Sequence, residues 1–188
     1  MTPMLGIMAS SISGSKAVTN SYESIATATG TGSSGIITFT SIPQTYKHLQ
    51  VRAILRGTAA ASANGTDMRY NSDSGANYTL HRLIGDGASA SADAYTGRTG
   101  AWLGLEVDAS AASNIYAAAV VDILDYTNTN KYKTSRSMGA YDLNGSGQIN
   151  FASALWLNTA AITSITITAA SSGNWTTGSS FALYGIKG

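Results

Sequence analysis

Cysteine is absent from all 188 positions, and with it go disulfide staples, thiolate metal sites and cysteine nucleophiles. The fold must therefore hold by packing, to which subunit assembly can add. Charge is scarce as well: Asp, Glu, Lys and Arg make up 11% of the chain, against the usual quarter, and 11 cations face 10 anions for a net charge of +1. Those charges are scattered, whereas a surface that follows nucleic-acid phosphates needs grouped cations, so nucleic acid is not an expected partner. The exterior has to be built from Ser, Thr, Asn, Gly and Ala, a composition that suits particle-bound or self-associating β proteins. No run approaches the roughly 20 apolar residues of a membrane helix, so no membrane is expected either. The first residues carry no cation before Lys16 and only a brief apolar run, unlike a secretory signal.

Groups that could do acid–base chemistry are few. The two histidines, His48 and His81, fall on predicted strands and outside any nucleophile motif such as G-x-S-x-G. Asp122 and Asp125 are three apart on a predicted strand, so they point to opposite faces and cannot flank one bond. Asp142-x-Asn144-x-Ser146-Gly147 matches the first half of a calcium loop, but its twelfth position is Ser153, where such a loop closes with a bidentate glutamate. A tight hairpin turn explains the same residues more simply. The expectation is a protein that is not an enzyme and that holds no cofactor and no metal. Trp102 and Trp156 sit in apolar strand context and read as core, whereas Trp175, set between Asn174 and Thr176, is the aromatic best placed to stack on a sugar.

Residues 1–33 are rich in Ser, Thr, Gly and Ala and read as an extended arm and linker. The arm carries one apolar cluster, Met4, Leu5, Ile7 and Met8, which either tucks against its own domain or docks on a partner. From residue 34 to 188 the pattern is that of strands. Residues 46–56 alternate cleanly, with Leu49, Val51, Ala53 and Leu55 on one face. Residues 117–142 read as a central hairpin turning at 127–130. A second hairpin is expected to join residues 66–70 to 78–83, and residues 85–100 read as a polar loop. Residues 149–157 form an apolar run with Phe151 set against Trp156. Residues 36–39, 102–107, 162–167 and 181–186 complete about nine or ten strands with no amphipathic helix. The fold class is all-β: a two-sheet antiparallel β-sandwich, jelly-roll-like, preceded by the N-terminal arm.

Several stretches carry a resemblance. They are residues 4–11 (MLGIMASS), 41–49 (SIPQTYKHL), 69–73 (RYNSD), the hairpin 122–134 and the closing residues 180–188. In these the chain resembles a family of small virion structural proteins of tailed bacteriophages, especially those of cyanobacteria and other aquatic bacteria. The resemblance implies a capsid decoration or cement protein, made in the host cytoplasm and located on the virion, with the capsid surface favoured over the tail. It implies as partners the major capsid protein or another virion protein, bound through Met4, Leu5, Ile7 and Met8, and further copies of itself in a homotrimer. The alternative is a tail fibre or baseplate appendage that contacts host surface glycan.

Overall fold

The structure, a computed structural model, describes residues 21–188; Met4, Leu5, Ile7 and Met8 lie outside the described residues. The described residues form twelve strands: β1 Tyr22–Thr29, β2 Ile36–Phe39, β3 His48–Leu55, β4 Ala63–Tyr70, β5 Tyr78–Gly85, β6 Ala90–Arg98, β7 Ala101–Val107, β8 Ala117–Ile123, β9 Lys133–Asp142, β10 Gly147–Trp156, β11 Ile165–Thr168 and β12 Ser180–Ile186. They divide into an eight-stranded sheet, ordered β1-β12-β3-β8-β9-β10-β5-β6, and a four-stranded sheet, ordered β2-β11-β4-β7. Every strand pairing is antiparallel. The molecule is thus an all-β sandwich, although its division into eight and four strands is not that of the eight-stranded jelly roll.

Alternation does what the sequence pattern asks of it in the middle of the large sheet. Leu49, Val51, Ala53 and Leu55 of β3 are buried and stand opposite Ile123, Val121, Ala119 and Ala117 of β8, also buried. Phe181 and Leu183 of β12 extend this inner layer on the other side of β3. The residues between them point away from the small sheet. β8 and β9 form the central hairpin, and β9 returns into β10 through a turn where Asp142 Oδ1 accepts the N–H of Asn144 at 2.7 Å.

The edges differ from the sequence pattern. β6 occupies the stretch expected to be a loop, and β1 lies within the stretch expected to be arm and linker, so among the described residues the sandwich already includes Tyr22. These strands end the large sheet on its two sides, and their small, polar side chains leave no alternation to detect. The expected hairpin of residues 66–70 with 78–83 does not form, because β4 and β5 belong to different sheets. Asn71 and Ser72 both adopt left-handed backbone, φ 52° and 59°, and carry the chain across. Asn71 fixes this crossing by accepting the N–H groups of Thr163 and Ser164 and donating to the carbonyl of Ala161. Phe151 and Trp156, expected to pack together, are five apart on β10 and face opposite sides.

The two layers come closest where β7 crosses the large sheet. A Cβ added at Gly139 of β9 would stand 3.2 Å from the Gly104 Cα of β7, and one added at Gly104 would stand 3.0 Å from the Cβ of Ala119. Backbone meets backbone there. At one end of the core Trp156 stacks on Tyr78 and meets Tyr70 edge-on, ring centroids 6.2 and 5.6 Å apart, while its Nε1 donates to Asp73 Oδ2 at 2.7 Å. Elsewhere in the core Trp175 packs edge-on against Phe181 at 5.1 Å. Gly139→Val should overpack the closest approach and lower the unfolding free energy by ~1–3 kcal/mol in urea titration. An unchanged midpoint would mean that the sheets can part there without cost.

Candidate functional site

Two features stand apart from ordinary core and surface. The first is the outer face of the eight-stranded sheet, the face turned away from the small sheet. Its register lines up Leu83 of β5, Phe151 of β10, Met138 of β9 and Val120 of β8 in one row. The next row runs from Ile149 through Ala140 and Ala118 to Ile54 of β3. Period-two geometry sends all of these to one side, and no layer of the described residues covers them. Phe151 is 57% exposed, Met138 and Leu83 55%, Ile149 54% and Ile54 41%. Isolated apolar residues are common on surfaces; two adjacent rows crossing five strands form a contiguous patch of the kind that marks an interaction site.

A polar row borders this patch and satisfies itself. Asp122 accepts from Gln50 at 2.8 Å and from Arg136 at 3.3 Å, and Gln50 accepts from the Arg52 Nε at 2.7 Å. The Arg52 guanidinium lies over the rings of Tyr184 and Tyr22, at 5.4 and 5.9 Å. Asp122 thereby takes up its part in a surface network. Asp125 does the same in the turn after β8, where ion pairs with Lys131 and Lys47 hold its carboxyl down at about 2. His48 Nδ1 accepts the Asp125 N–H at 2.9 Å, and His81 stands exposed on the outer face beside Ser153.

The second feature escaped the sequence reading. Glu106 and Asp108, at the end of β7, are both fully buried and lie side by side beneath Gly57. Thr66 Oγ1 donates to Glu106 Oε2 at 2.5 Å, the Ala170 N–H donates to Oε1 at 3.0 Å, and Asn64 Nδ2 donates to Asp108 Oδ2 at 2.5 Å. Asp108 Oδ1 is buried without a hydrogen-bond partner. Burial, with the neighbouring Asp108 charge, pushes the Glu106 carboxyl up to about 7, and burial also raises Asp108. The nearest cation is Arg56, whose guanidinium donates to the carbonyls of Ala111, Ala112 and Ile115 and so fixes the loop that follows. Gly57 roofs the pair: a Cβ there would lie 2.4 Å from Asp108 Oδ1 and 2.7 Å from Glu106 Oε1. With both carboxyls sealed from solvent, the pair is a joint within the fold and not a site that reaches a substrate. Its sequence signal was the i, i+2 spacing, which puts two acids on one face of a strand.

No family model, curated protein or solved structure matches this chain. Trp175, the aromatic that its sequence neighbours place best for stacking on a sugar, is 0% exposed, because its ring fills the core against Phe181. Among the described residues no three His, Asp or Glu side chains converge where an ion could sit. Trp175→Ala should cost ~3–5 kcal/mol of stability in denaturant unfolding, as core truncations of this size do; a variant with wild-type stability would place the ring outside the core.

The acid pair sets a pH dependence. In the unfolded chain Glu106 ionises near its ordinary 4.5, whereas in the fold it keeps its proton to about 7. Between those values the folded state binds more protons, so stability falls as pH rises through this window, by about 3 kcal/mol in total. Thermal melts from pH 5 to 8 should show that decline, and Glu106→Gln, which keeps the shape and a donor toward Asp108, should flatten it. A slope unchanged by the substitution would assign the effect elsewhere.

Proposed function

We propose that the protein is a non-catalytic structural component of a tailed-phage virion, a capsid decoration or cement protein that binds the shell through its N-terminal arm and reinforces it by self-association. The observation that supports this most is the exposed apolar outer face, which is a docking surface and not a cleft. Asp122 and Arg136 beside it are engaged in fixed polar contacts, and the buried acids serve the fold. A chain with 11% charged residues and no cysteine depends on packing and on neighbours for its endurance, as a particle component does. The tail-appendage alternative, with host polysaccharide as ligand, has less in its favour now that Trp175 lies in the core.

In this reading Met4, Leu5, Ile7 and Met8 are the shell-binding residues, and burying each would contribute ~1.5–3 kcal/mol. Several arms on one oligomer then act together through effective concentration. The boundary of the arm matters for its test, because β1 begins at Tyr22 and pairs with β12. Deleting residues 1–20 should leave the melting transition in place and abolish co-sedimentation with purified particles, whereas deleting residues 1–33 should also strip β1 and destabilise the fold. Quantitative mass spectrometry of virions should find the protein at hundreds of copies. A few copies per particle, or full occupancy without the arm, would overturn the proposal.

A further inference from the structure

We infer that the outer face of the eight-stranded sheet pairs with the same face of a second copy of this chain, in a two-fold, isologous contact. This deepens the structural reading above by naming the surface through which copies associate, and it rests on that reading only for its biological setting.

Three observations converge on a second copy as the occupant. The first is size. Eight strands at a spacing of ~4.8 Å span roughly 34 Å, and strands of this length at ~3.3 Å per residue run roughly 25 Å, so the face offers roughly 850 Å². That matches the ~800 Å² per partner of a stable protein interface, and a sheet face of this extent is best covered by another sheet of the same twist. The second is anatomy. The apolar centre is flanked by a polar row, the arrangement of core and rim found in specific interfaces. Arg136 of that row and Arg52, which ends the first apolar row beside Val120 on β3, are already engaged by Asp122, Gln50 and the two tyrosines. An identical copy therefore meets no unpaired charge of its own sign at the centre.

The third observation is relief. Ala140 and Ala118 form a hollow bounded on either side by Ile149 and Ile54, and in the adjoining row Phe151 and Met138 stand up as knobs. Knob and hollow lie on the same patch, one row apart. A two-fold rotation places the knobs of each copy over the hollow of the other, which is the self-complementarity that an isologous contact demands. Where the family resemblance implies a trimer, the shape of this face favours a pair.

The test is made in solution on the full chain, without particles. Sedimentation velocity across a range of concentrations should show a monomer–dimer equilibrium. The double substitution Met138→Glu with Phe151→Glu should give a monomer, and so should the matching pair of lysines. Mixing the two variants should restore a heterodimer, because only face-to-face pairing brings the opposite charges together. Ile36→Glu, equally exposed at 58% but on the small sheet, should remain dimeric. Should a double variant fail to fold by circular dichroism, Phe151→Thr alone should raise the dimer Kd roughly tenfold or more. A wild-type chain that is monomeric throughout, a trimer, or variants that do not rescue each other would overturn the inference. The last two outcomes would mean that this face meets a different patch, and a monomer would mean that the arm or a foreign protein covers it. A dimer in solution that is missing from virions would instead defeat the virion reading and leave the pairing intact.

Discussion

The approach of β7 to the large sheet at Gly104 and Gly139 sets the spacing on which the rest of the sandwich depends. With no side chain on either residue, the two backbones touch, and larger residues fill the wider gaps to either side. Tyr70, Tyr78 and Trp156 form one wedge and Trp175 with Phe181 another. β7 can be buried along its whole length, although it ends its own sheet, because it lies over β8, β9 and β10 and its remaining polar groups are met from β4. The contact also explains where an acid pair could be tolerated. Two carboxyls buried beside this contact borrow donors from Thr66, Asn64 and the backbone.

The few charges of this chain are used sparingly and locally. Arg56 ties down a loop through three carbonyls, and Lys133, buried with no carboxylate beside it, donates to the carbonyls of Lys131 and Thr159. Burial lowers the Lys133 pKa, so this ammonium is held by geometry more than by countercharge. Asp73 gathers the Trp156 indole and the Asn77 amide, and its carboxyl sits below the usual range for that reason. Each of these groups anchors a crossing between layers or the entry to a strand. On the outer face the charges of Asp122, Arg136 and Arg52 are likewise engaged locally, beside the apolar rows.

Legibility in the sequence followed burial. β3, β8 and β12 have one face in the core, and their period-two patterns were visible in Leu49–Leu55, in Val121 and Ile123, and in Phe181 and Leu183. β1 and β6 have little to bury, and at the sheet edge neither face is forced to be apolar, so no alternation announces them. The left-handed residues Asn71 and Ser72 look like a hairpin turn in sequence, and only the tyrosines on either side, both claimed by the core, divert the strands into separate sheets. The outer face was hidden for a related reason. Phe151 and Ile149 read as core because they are apolar, and only the register with Met138 and Leu83 reveals that they share the uncovered side. Trp175 was misleading in the opposite sense, since its polar neighbours mask a ring drawn into the interior.

The pairing of β1 with β12 and of β12 with β3 has a consequence for how the molecule is made. During synthesis the neighbours β8, β9 and β10 can associate as soon as they emerge, because they are consecutive hairpins. β1, although synthesised long before them, has no partner until residues 180–186 have left the ribosome, and the flank of β3 stays bare for just as long. A nascent chain thus carries two unsatisfied strand edges through most of its elongation, and such edges are where neighbouring chains on one message can cross-pair. The Ser, Thr and Ala that make β1 so hard to see in sequence also make it a poor template for that mispairing.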